Sequence, residues 1–148
     1  MAESSPLYRA GYVMDASVIF KWYRHEEDRG KALGLREGLA GGTMELHAPD
    51  LVLAEVGNAL RYNREFTKSS AGSSLAELVE LGLVLHCLDR DLLREANATA
   101  WDRGLTFYDS LYVALARILG FPLVTADGEI LRRLKGASCV VPLVHLPG

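Results

Sequence analysis

Five short apolar runs alternate with longer helical segments along the chain, and this alternation constrains the fold more than any other feature of the sequence. The runs are continuously apolar, which is typical of strands that are buried on both faces. Strands that alternate with helices favour a parallel sheet covered on both sides. We therefore expect an α/β protein, a three-layer sandwich whose central parallel sheet has about five strands.

Turn residues and helix caps give boundaries for these elements. The predicted strands are residues 12–15, 45–48, 83–88, 123–125 and 138–144. The first predicted helix runs from residue 16 to a charged far end within 25–32, and the others cover 31–40, 51–65 with Asp50 as its cap, 74–82, 89–103, 106–119 and 127–135. The small polar stretch 67–74 is either a loop or the start of the helix that follows. No repeat or linker interrupts the pattern, so we expect one domain over residues 1–148.

The charge balance limits how the chain can hold a ligand. It has 16 Lys and Arg against 19 Asp and Glu, a net charge of -3. This charge gives no long-range attraction for nucleic acid or for a membrane, so a phosphate ligand needs a local basic patch or metal ions. The N-terminus lacks a basic start and an apolar core, and the most apolar window, 75–88, is too short to cross a bilayer. We expect a cytoplasmic protein without a membrane segment.

The two cysteines do not suggest a disulfide or a metal site. Cys87 and Cys139 each stand alone in an apolar run, with no partner at CxxC spacing. We expect both to be buried free thiols.

Three aspartates have both a structural and a functional explanation. Asp15 and Asp127 each end an apolar strand and precede a helix, where Asp is a good N-cap. Ligands of parallel α/β sheets, however, bind beyond the carboxyl ends of the strands. Asp109 lies three residues after Thr106, so it could be the partner in a capping box, but its carboxylate also belongs to a first helical turn.

Glu55 is harder to explain as a structural residue. It is the only polar side chain in LVLAEVG, residues 51–57. A buried Glu is costly unless it is paired or bound to a metal ion. Asn58 lies one turn further along the same helix face and can hydrogen-bond the same ligand or its water.

These four acids can all project over one edge of a parallel sheet. Carboxylates gathered there would repel one another and raise at least one pKa unless cations neutralise them. Oxygen ligands on an open cleft suit Mg²⁺ or Mn²⁺, which keep several waters, better than zinc. We therefore expect one or two Mg²⁺ or Mn²⁺ ions at this edge.

Four blocks of the sequence resemble the signature blocks of the PIN domain family, most closely those of the VapC-like ribonuclease toxins of prokaryotic toxin-antitoxin pairs. The blocks are DASVIFKW at 15–22, LAEVGNAL at 53–60, YDSLYVALA at 108–116 and VTADGEIL at 124–131. They lie in the family's order and spacing and span nearly the whole chain. The segment before Tyr12 and the acid Glu129 have no clear place in the pattern.

This resemblance implies a flavodoxin-like sheet of order 3-2-1-4-5 and a metal-dependent endoribonuclease that leaves 5'-phosphate and 3'-hydroxyl ends. It also implies a cognate antitoxin protein and a homodimer. The implied catalytic and metal-binding residues are Asp15, Glu55, Asp109 and Asp127, supported by Ser17, Asn58 and Thr125.

Contacts with RNA would have to come from local basic side chains, because the total charge is negative. The candidates are Lys21, Arg24, Arg61, Arg64 and Lys68. Each could equally be a solvated surface residue. Three aromatic residues near them, Trp22, Tyr23 and Tyr62, could stack on bases or pack in the core.

Other classes of protein fit less well. A haloacid-dehalogenase-type phosphatase needs a second acid two residues after Asp15, where this chain has Ser17. A response-regulator receiver needs adjacent acids before its phosphoacceptor strand, and none precede Asp15. The main alternative is a PIN domain that binds or assembles partners while its metal site is weak or silent.

Overall fold

A five-stranded parallel sheet organises residues 9–147, which are the residues that the computed structural model describes. The strands are β1 (Ala10–Met14), β2 (Met44–Pro49), β3 (Val84–His86), β4 (Leu123–Thr125) and β5 (Val140–Pro142). Their order is β3-β2-β1-β4-β5, and every neighbouring pair is parallel. The predicted fold class and strand order are confirmed.

Helices cover both faces of this sheet. Within residues 9–147 they are α1 (Ala16–Phe20), α2 (Arg29–Ala40), α3 (Leu51–Arg61), α4 (Lys68–Glu80), α5 (Arg90–Arg103), α6 (Phe107–Leu119) and α7 (Gly128–Arg133). A short 3-10 helix, Leu143–His145, follows β5. The chain runs outward from β1 to β3 and then returns through α5 and α6 to β4. Right-handed crossovers therefore place the helices before and after β3 on opposite faces.

The junction between β1 and β4 is the centre of the core. Val13 and Met14 of β1 pair with Leu123 and Val124 of β4, and all four side chains are fully buried. The chain continues from β1 to β2 on one side, whereas β4 lies on the other side. This junction is therefore the switch point of the sheet, where open α/β folds bind their ligands.

The connection after α1 differs from the prediction. The helix ends at Phe20, well before the charged stretch in which we expected it to end. The indole Nε1 of Trp22 donates to the carbonyl of Ala32 at 2.8 Å, and the guanidinium of Arg29 donates to the carbonyl of Trp22 at 2.9 Å. Residues 21–28 are held in turns by these tertiary contacts, which local helix propensity does not reveal.

Helix α4 begins at Lys68, so the stretch 67–74, which by sequence could be a loop or a helix start, is the start of the helix. Thr67 Oγ1 accepts a hydrogen bond from the backbone N–H of Ser70 at 3.1 Å, and Ser70 Oγ accepts one from the backbone N–H of Thr67 at 2.8 Å. This is a capping box with Ser in the place that Glu or Gln usually fills. The small polar stretch is thus the first turn of the helix.

The boundaries of α3 were also placed inaccurately. The helix ends at Arg61 rather than near residue 65. Asp50 precedes it, but its side chain makes no capping hydrogen bond in the described structure, so the predicted cap is wrong. Its backbone is already helical, with φ -62° and ψ -18°, whereas a capping residue has extended backbone.

Strand β3 is shorter and more exposed than its apolar sequence indicates. Val84 is 40% exposed because β3 is an edge strand with one neighbour. His86 Nε2 lies 2.9 Å from His47 Nδ1 of β2 and joins the two strands. Cys87 follows β3, while Cys139 precedes β5 at the opposite edge. Both thiols are free as predicted, but neither is buried: Cys87 is exposed and Cys139 is partly exposed.

Two sequence predictions concern a membrane segment and a signal peptide. No helix in residues 9–147 combines the length and the apolar character needed to cross a bilayer. Most of the N-terminal segment on which the signal-peptide prediction rests, residues 1–8, lies outside the described residues.

A side chain at Gly11 of β1 would force the Phe121 ring to move, because a Cβ atom there would lie 2.7 Å from Cε1 of Phe121. We expect Gly11→Ala to lower the free energy of unfolding by about 1–3 kcal/mol, measured by urea denaturation. Gly34→Ala is the matched control, since a Cβ at this exposed position of α2 has no neighbour within 4 Å among the described residues. It should gain up to about 1 kcal/mol from helix propensity. Equal stabilities would contradict this packing.

Candidate active site

Asp15 lies at the switch point, where it follows β1 and is only 4% exposed. Its Oδ1 accepts hydrogen bonds from the backbone N–H of Ser17 at 3.1 Å and from the Ser17 hydroxyl at 2.5 Å. Its Oδ2 accepts one from the Thr125 hydroxyl at 2.5 Å. Burial raises the pKa of Asp15 from 3.8 to about 7, against these hydrogen bonds and with a smaller contribution from the charge of Asp127. Asp15 therefore caps α1 and is also a buried carboxylate at the ligand-binding edge.

The two hydroxyl groups connect Asp15 to the turn after β4. Ser17 Oγ accepts the backbone N–H of Ala126 at 3.0 Å, and Thr125 Oγ1 accepts the backbone N–H of Asp127 at 3.0 Å. A hydroxyl group has one proton to donate, and each of these donates it to Asp15. The carboxylate is thus fixed between the carboxyl ends of β1 and β4.

Asp127 caps α7 with one of its oxygens. Its Oδ1 accepts the backbone N–H groups of Glu129 at 2.9 Å and Ile130 at 3.0 Å. No described residue donates to its Oδ2, which leaves this oxygen available to a ligand. Glu129, which the sequence left unassigned, forms ion pairs with Arg132 and Arg133 of the same helix. Its carboxylate is therefore already engaged.

Glu55 of α3 and Asp109 of α6 complete the predicted set of acids. The hydroxyl of Tyr112 donates to Glu55 Oε1 at 2.7 Å. The backbone N–H of Asp109 donates to Thr106 Oγ1 at 3.1 Å, which is half of a capping box, but the Asp109 carboxylate accepts no hydrogen bond from the described residues. Burial raises the pKa of Glu55, to which the charge of Asp109 adds. Burial also raises the pKa of Asp109, to which the charges of Asp127 and Glu129 add.

The four carboxylates are therefore near enough to act on one another's ionisation, as the sequence indicated. None of them forms an ion pair with a Lys, Arg or His in residues 9–147. A group of acids without a cationic side chain is an environment that favours a bound cation.

The donor set fits a hydrated, hard cation rather than a closed metal cage. In the part of the chain that the structure describes, no three Asp, Glu, His or Cys side chains are placed to hold one metal ion together. Zinc sites usually have such a cage, with four protein ligands or three and a water. Mg²⁺ commonly binds through one or two carboxylates and keeps several waters. The oxygen atoms of this site suit that mode of binding.

A cleft of about 820 Å³ lies beside Glu55, the one member of the four acids that lines it, and is bordered by basic side chains. Glu55 and Asn58 line it together with Arg24 and Arg64. Asn58 is exposed, and its amide makes no hydrogen bond with the described residues. The cleft therefore brings predicted catalytic, supporting and RNA-binding residues into one space.

Two other predicted RNA-binding residues are engaged elsewhere. The ammonium of Lys21 pairs with Glu26 at 2.5 Å and with Asp28 at 2.8 Å. The guanidinium carbon of Arg61 lies 5.3 Å from the centroid of the Tyr62 ring. Lys21 thus has its charge neutralised within the chain, whereas Arg61 covers an aromatic ring at the end of α3.

The aromatic candidates also divide between core and surface. Trp22 is 3% exposed and belongs to the core. Tyr23 packs edge-on against Phe66, with ring centroids 6.1 Å apart. Tyr62 is 75% exposed and lines the cleft. Among these three, only Tyr62 is placed to meet a base.

Tyr112 is the site residue that sequence reasoning missed. It lies in the apolar stretch of α6, and its ring is 1% exposed, so its pattern is that of a core residue. A buried Tyr usually needs a partner for its hydroxyl. Tyr112 lies three positions after Asp109, which places both on one side of the helix. These two facts are the signal that could have identified it.

Comparison with known proteins gives matches that span the residues of this site. The sequence profile of the PIN domain matches residues 12–136. "Exonuclease VapC9" of Pyrobaculum aerophilum is 33% identical over 133 residues, covering 90% of this chain and 92% of that protein. "Ribonuclease VapC3" of the same organism is 36% identical over 123 residues, covering 80% and 90%. A toxin-antitoxin complex from Klebsiella pneumoniae has a similar fold, with a TM-score of 0.69 at 13% identity over 89% of this chain and 97% of that one.

The buried carboxylate of Asp15 should make the metal-free protein less stable as the pH rises. The folded chain keeps a proton on Asp15 up to a pKa of about 7, whereas the unfolded chain releases it near 3.8. Rising pH therefore favours the unfolded state over this window. We expect Asp15→Asn to reduce the slope and to be more stable than the wild type at about pH 8, by up to about 4 kcal/mol.

Thermal and urea unfolding in EDTA, over about pH 5–8, would measure this slope. Asp50→Asn is the matched control, because Asp50 also follows a strand and precedes a helix but is exposed. This variant should keep the slope of the wild type. A slope in Asp15→Asn as steep as that of the wild type would contradict the proposed origin of the pH dependence.

Proposed function

Because the chain belongs to the PIN domain family, we propose that it is a metal-dependent endoribonuclease, the toxin of a toxin-antitoxin pair. The observation that carries the proposal is the group of four carboxylates at the carboxyl edge of the sheet, without a cationic partner among the described residues. The names of its relatives, an exonuclease and a ribonuclease, support nuclease activity. The order and spacing of the four acids along the chain support the same chemistry.

The proposed cofactor is one or two Mg²⁺ or Mn²⁺ ions. Asp15, Glu55, Asp109 and Asp127 would hold them, since carboxylate oxygens are the ligands that these ions prefer. When bound, such an ion neutralises charge on a phosphodiester and acidifies water. The hydroxyls of Ser17 and Thr125 orient Asp15 and favour its ionised form by donating to it.

Glu55 is the proposed acceptor of a proton from the attacking water. Its Oε1 is held by the Tyr112 hydroxyl, its Oε2 accepts no hydrogen bond from the described residues, and it lines the cleft. Burial raises its pKa, which makes the carboxylate a better proton acceptor. The water oxygen forms a bond to phosphorus as the bond from phosphorus to the 3' oxygen breaks, and the leaving 3' oxygen takes up a proton from solvent water. The fragments therefore end in a 5'-phosphate and a 3'-hydroxyl.

Basic side chains beside the cleft are the proposed contacts with the RNA backbone. Arg24 and Arg64 share the cleft with Glu55, so they can reach phosphates next to the one that is cut. Arg61 lies beside them at the end of α3. Lys21 would have to exchange its two ion pairs for a phosphate.

The proposal also includes protein partners. A neighbour in fold is a toxin-antitoxin complex, which supports a small antitoxin as the partner of this chain. An antitoxin that covers the acidic edge would exclude RNA. We also propose a homodimer, which sedimentation of the purified chain would detect.

Circular single-stranded RNA is the sharpest substrate for testing this proposal, because it has no ends for an exonuclease. With Mg²⁺ or Mn²⁺ we expect the wild type and Asp50→Asn to linearise it, whereas Asp15→Asn and EDTA-treated protein do not. The products should carry 5'-phosphate and 3'-hydroxyl ends. A single 2'-deoxy substitution at the cut position should be tolerated, since water and not the 2'-hydroxyl attacks.

Each contrary result has a distinct meaning. Equal cleavage by Asp15→Asn would indicate a contaminating nuclease and favour a PIN domain that acts only in binding or assembly. Cleavage of linear RNA alone, from one end, would indicate an exonuclease. Loss of cleavage on 2'-deoxy substitution, with binding intact, would contradict attack by water.

Tyr112→Phe tests the role of Glu55 by removing one hydrogen-bond donor while keeping the ring. The lost hydrogen bond raises the pKa of Glu55 further, so its carboxylate ionises only at higher pH. We expect the acid limb of the cleavage profile to move to higher pH, so that cleavage falls more in acid than in alkaline buffer. Tyr23→Phe is the control, because the Tyr23 hydroxyl makes no hydrogen bond with the described residues. An unmoved profile for Tyr112→Phe would refute this role.

A further inference from the structure

The cleft beside Glu55 is larger than a phosphate contact requires. Its volume is about 820 Å³, and it extends along one face of α3, from Glu55 through Asn58 to Tyr62. Asn58 is three positions after Glu55, and Tyr62 is seven positions after it. Tyr62 therefore lies two turns, about 10 Å, from Glu55 along the helix axis. A group bound at Tyr62 is therefore close to the proposed cutting site but distinct from it.

Two aromatic rings line the cleft, each with a guanidinium over it. The Arg24 guanidinium carbon lies 5.0 Å from the centroid of the Phe20 ring, and that of Arg61 lies 5.3 Å from the centroid of Tyr62. The Tyr62 ring is 75% exposed although an Arg covers part of it. Exposed rings and guanidinium planes are the surfaces on which unpaired RNA bases stack.

Two amide side chains can recognise the edge of such a base. Asn58 makes no hydrogen bond with the described residues, so both its donor and its acceptor groups are available. Asn63 Oδ1 accepts the backbone N–H of Glu65 at 2.9 Å, which fixes the side chain and leaves its NH₂ group to donate. Both amides line the cleft. Their groups match the acceptors and donors on the edges of bases.

We propose that this cleft binds one unpaired base of single-stranded RNA, stacked on Tyr62, and so determines where the chain cuts. The inference rests on the proposed ribonuclease function and adds to it a subsite for a base. A helical peptide would need a mainly apolar groove, and the apolar side chains of Tyr23, Val56 and Leu60 lie beside this cleft rather than in its lining. The lining itself combines two rings with amides and guanidiniums, which favours a nucleotide. Paired RNA would not enter, because its bases are stacked within the duplex.

Binding of an unstructured RNA of about 12 nucleotides tests the subsite, with all variants made in the Asp15→Asn chain so that the RNA survives. We expect Tyr62→Ala to weaken binding by about five- to a hundredfold, the effect of losing one stacked base. Tyr62→Phe keeps the ring and should bind within twofold of its parent. Trp101→Ala is the control, because Trp101 is an exposed aromatic residue, 83% exposed on α5, outside this cleft.

Salt dependence and base removal identify the contact. Tyr62→Ala should leave the slope of log K against log[salt] unchanged, whereas Arg64→Ala should reduce its magnitude by about 0.7, the value for one phosphate contact on a single strand. Abasic substitution along the RNA should weaken binding at one position, and this penalty should vanish in Tyr62→Ala. Tyr62→Ala should also broaden the choice of cut site in the otherwise unchanged chain.

The outcomes separate this inference from the proposed function. If the wild type cuts RNA and Tyr62→Ala binds and cuts as its parent does, the subsite is wrong and the nuclease proposal stands. If RNA binding depends on Tyr62 but the wild type cuts nothing, the nuclease proposal alone fails. No RNA binding at all refutes both. If Tyr62→Ala weakens only the binding of a protein partner, the cleft belongs to that partner and the subsite is refuted.

Discussion

The hydrogen bonds around Asp15 are the interaction on which the rest of the site depends. Ser17 and Thr125 donate to its carboxylate and accept backbone N–H groups from the turn that carries Asp127. Two strands that are far apart in sequence are thereby joined at their carboxyl ends. The same bonds fix the rotamer of Asp15 and the entry of the chain into α7, so the geometry of the site follows from that of the sheet.

The sequence predicted the sheet well, because buried parallel strands leave long apolar runs and helices leave a different period. It failed where particular side-chain hydrogen bonds or the order of the strands decide a boundary or an exposure. The end of α1 depends on Trp22 and Arg29, which bond to carbonyls elsewhere in the chain. The start of α4 depends on a Ser in a capping box, and Ser also favours turns. Val84 is exposed because its strand is at the edge, and an apolar run does not reveal strand order.

The acids of the site were predictable because each breaks an apolar pattern at a strand end or on a helix face. The residues that orient these acids, and the contacts of nearby basic residues, were not predictable. Tyr112 supports Glu55 from within an apolar helix, so its sequence pattern is that of the core. Lys21 follows Asp15 closely, yet its charge is satisfied by acids in the next turn. A basic residue near an active site in sequence is therefore a weak guide to its contacts. The metal, RNA and antitoxin remain predictions.

The raised pKa of Asp15 has an evolutionary consequence. Holding a charge in this buried position costs folding stability, so the atoms that would perform catalysis work against the fold. A mutation that exchanges one carboxylate oxygen for an amide would remove the buried charge and silence the site together, although it also removes one acceptor for the hydroxyls of Ser17 and Thr125. Loss of the Asp15 charge would thus be favoured by folding stability although it removes the activity. Inactive members could arise from a chain like this in a single step, with the sheet and its surfaces intact for binding roles.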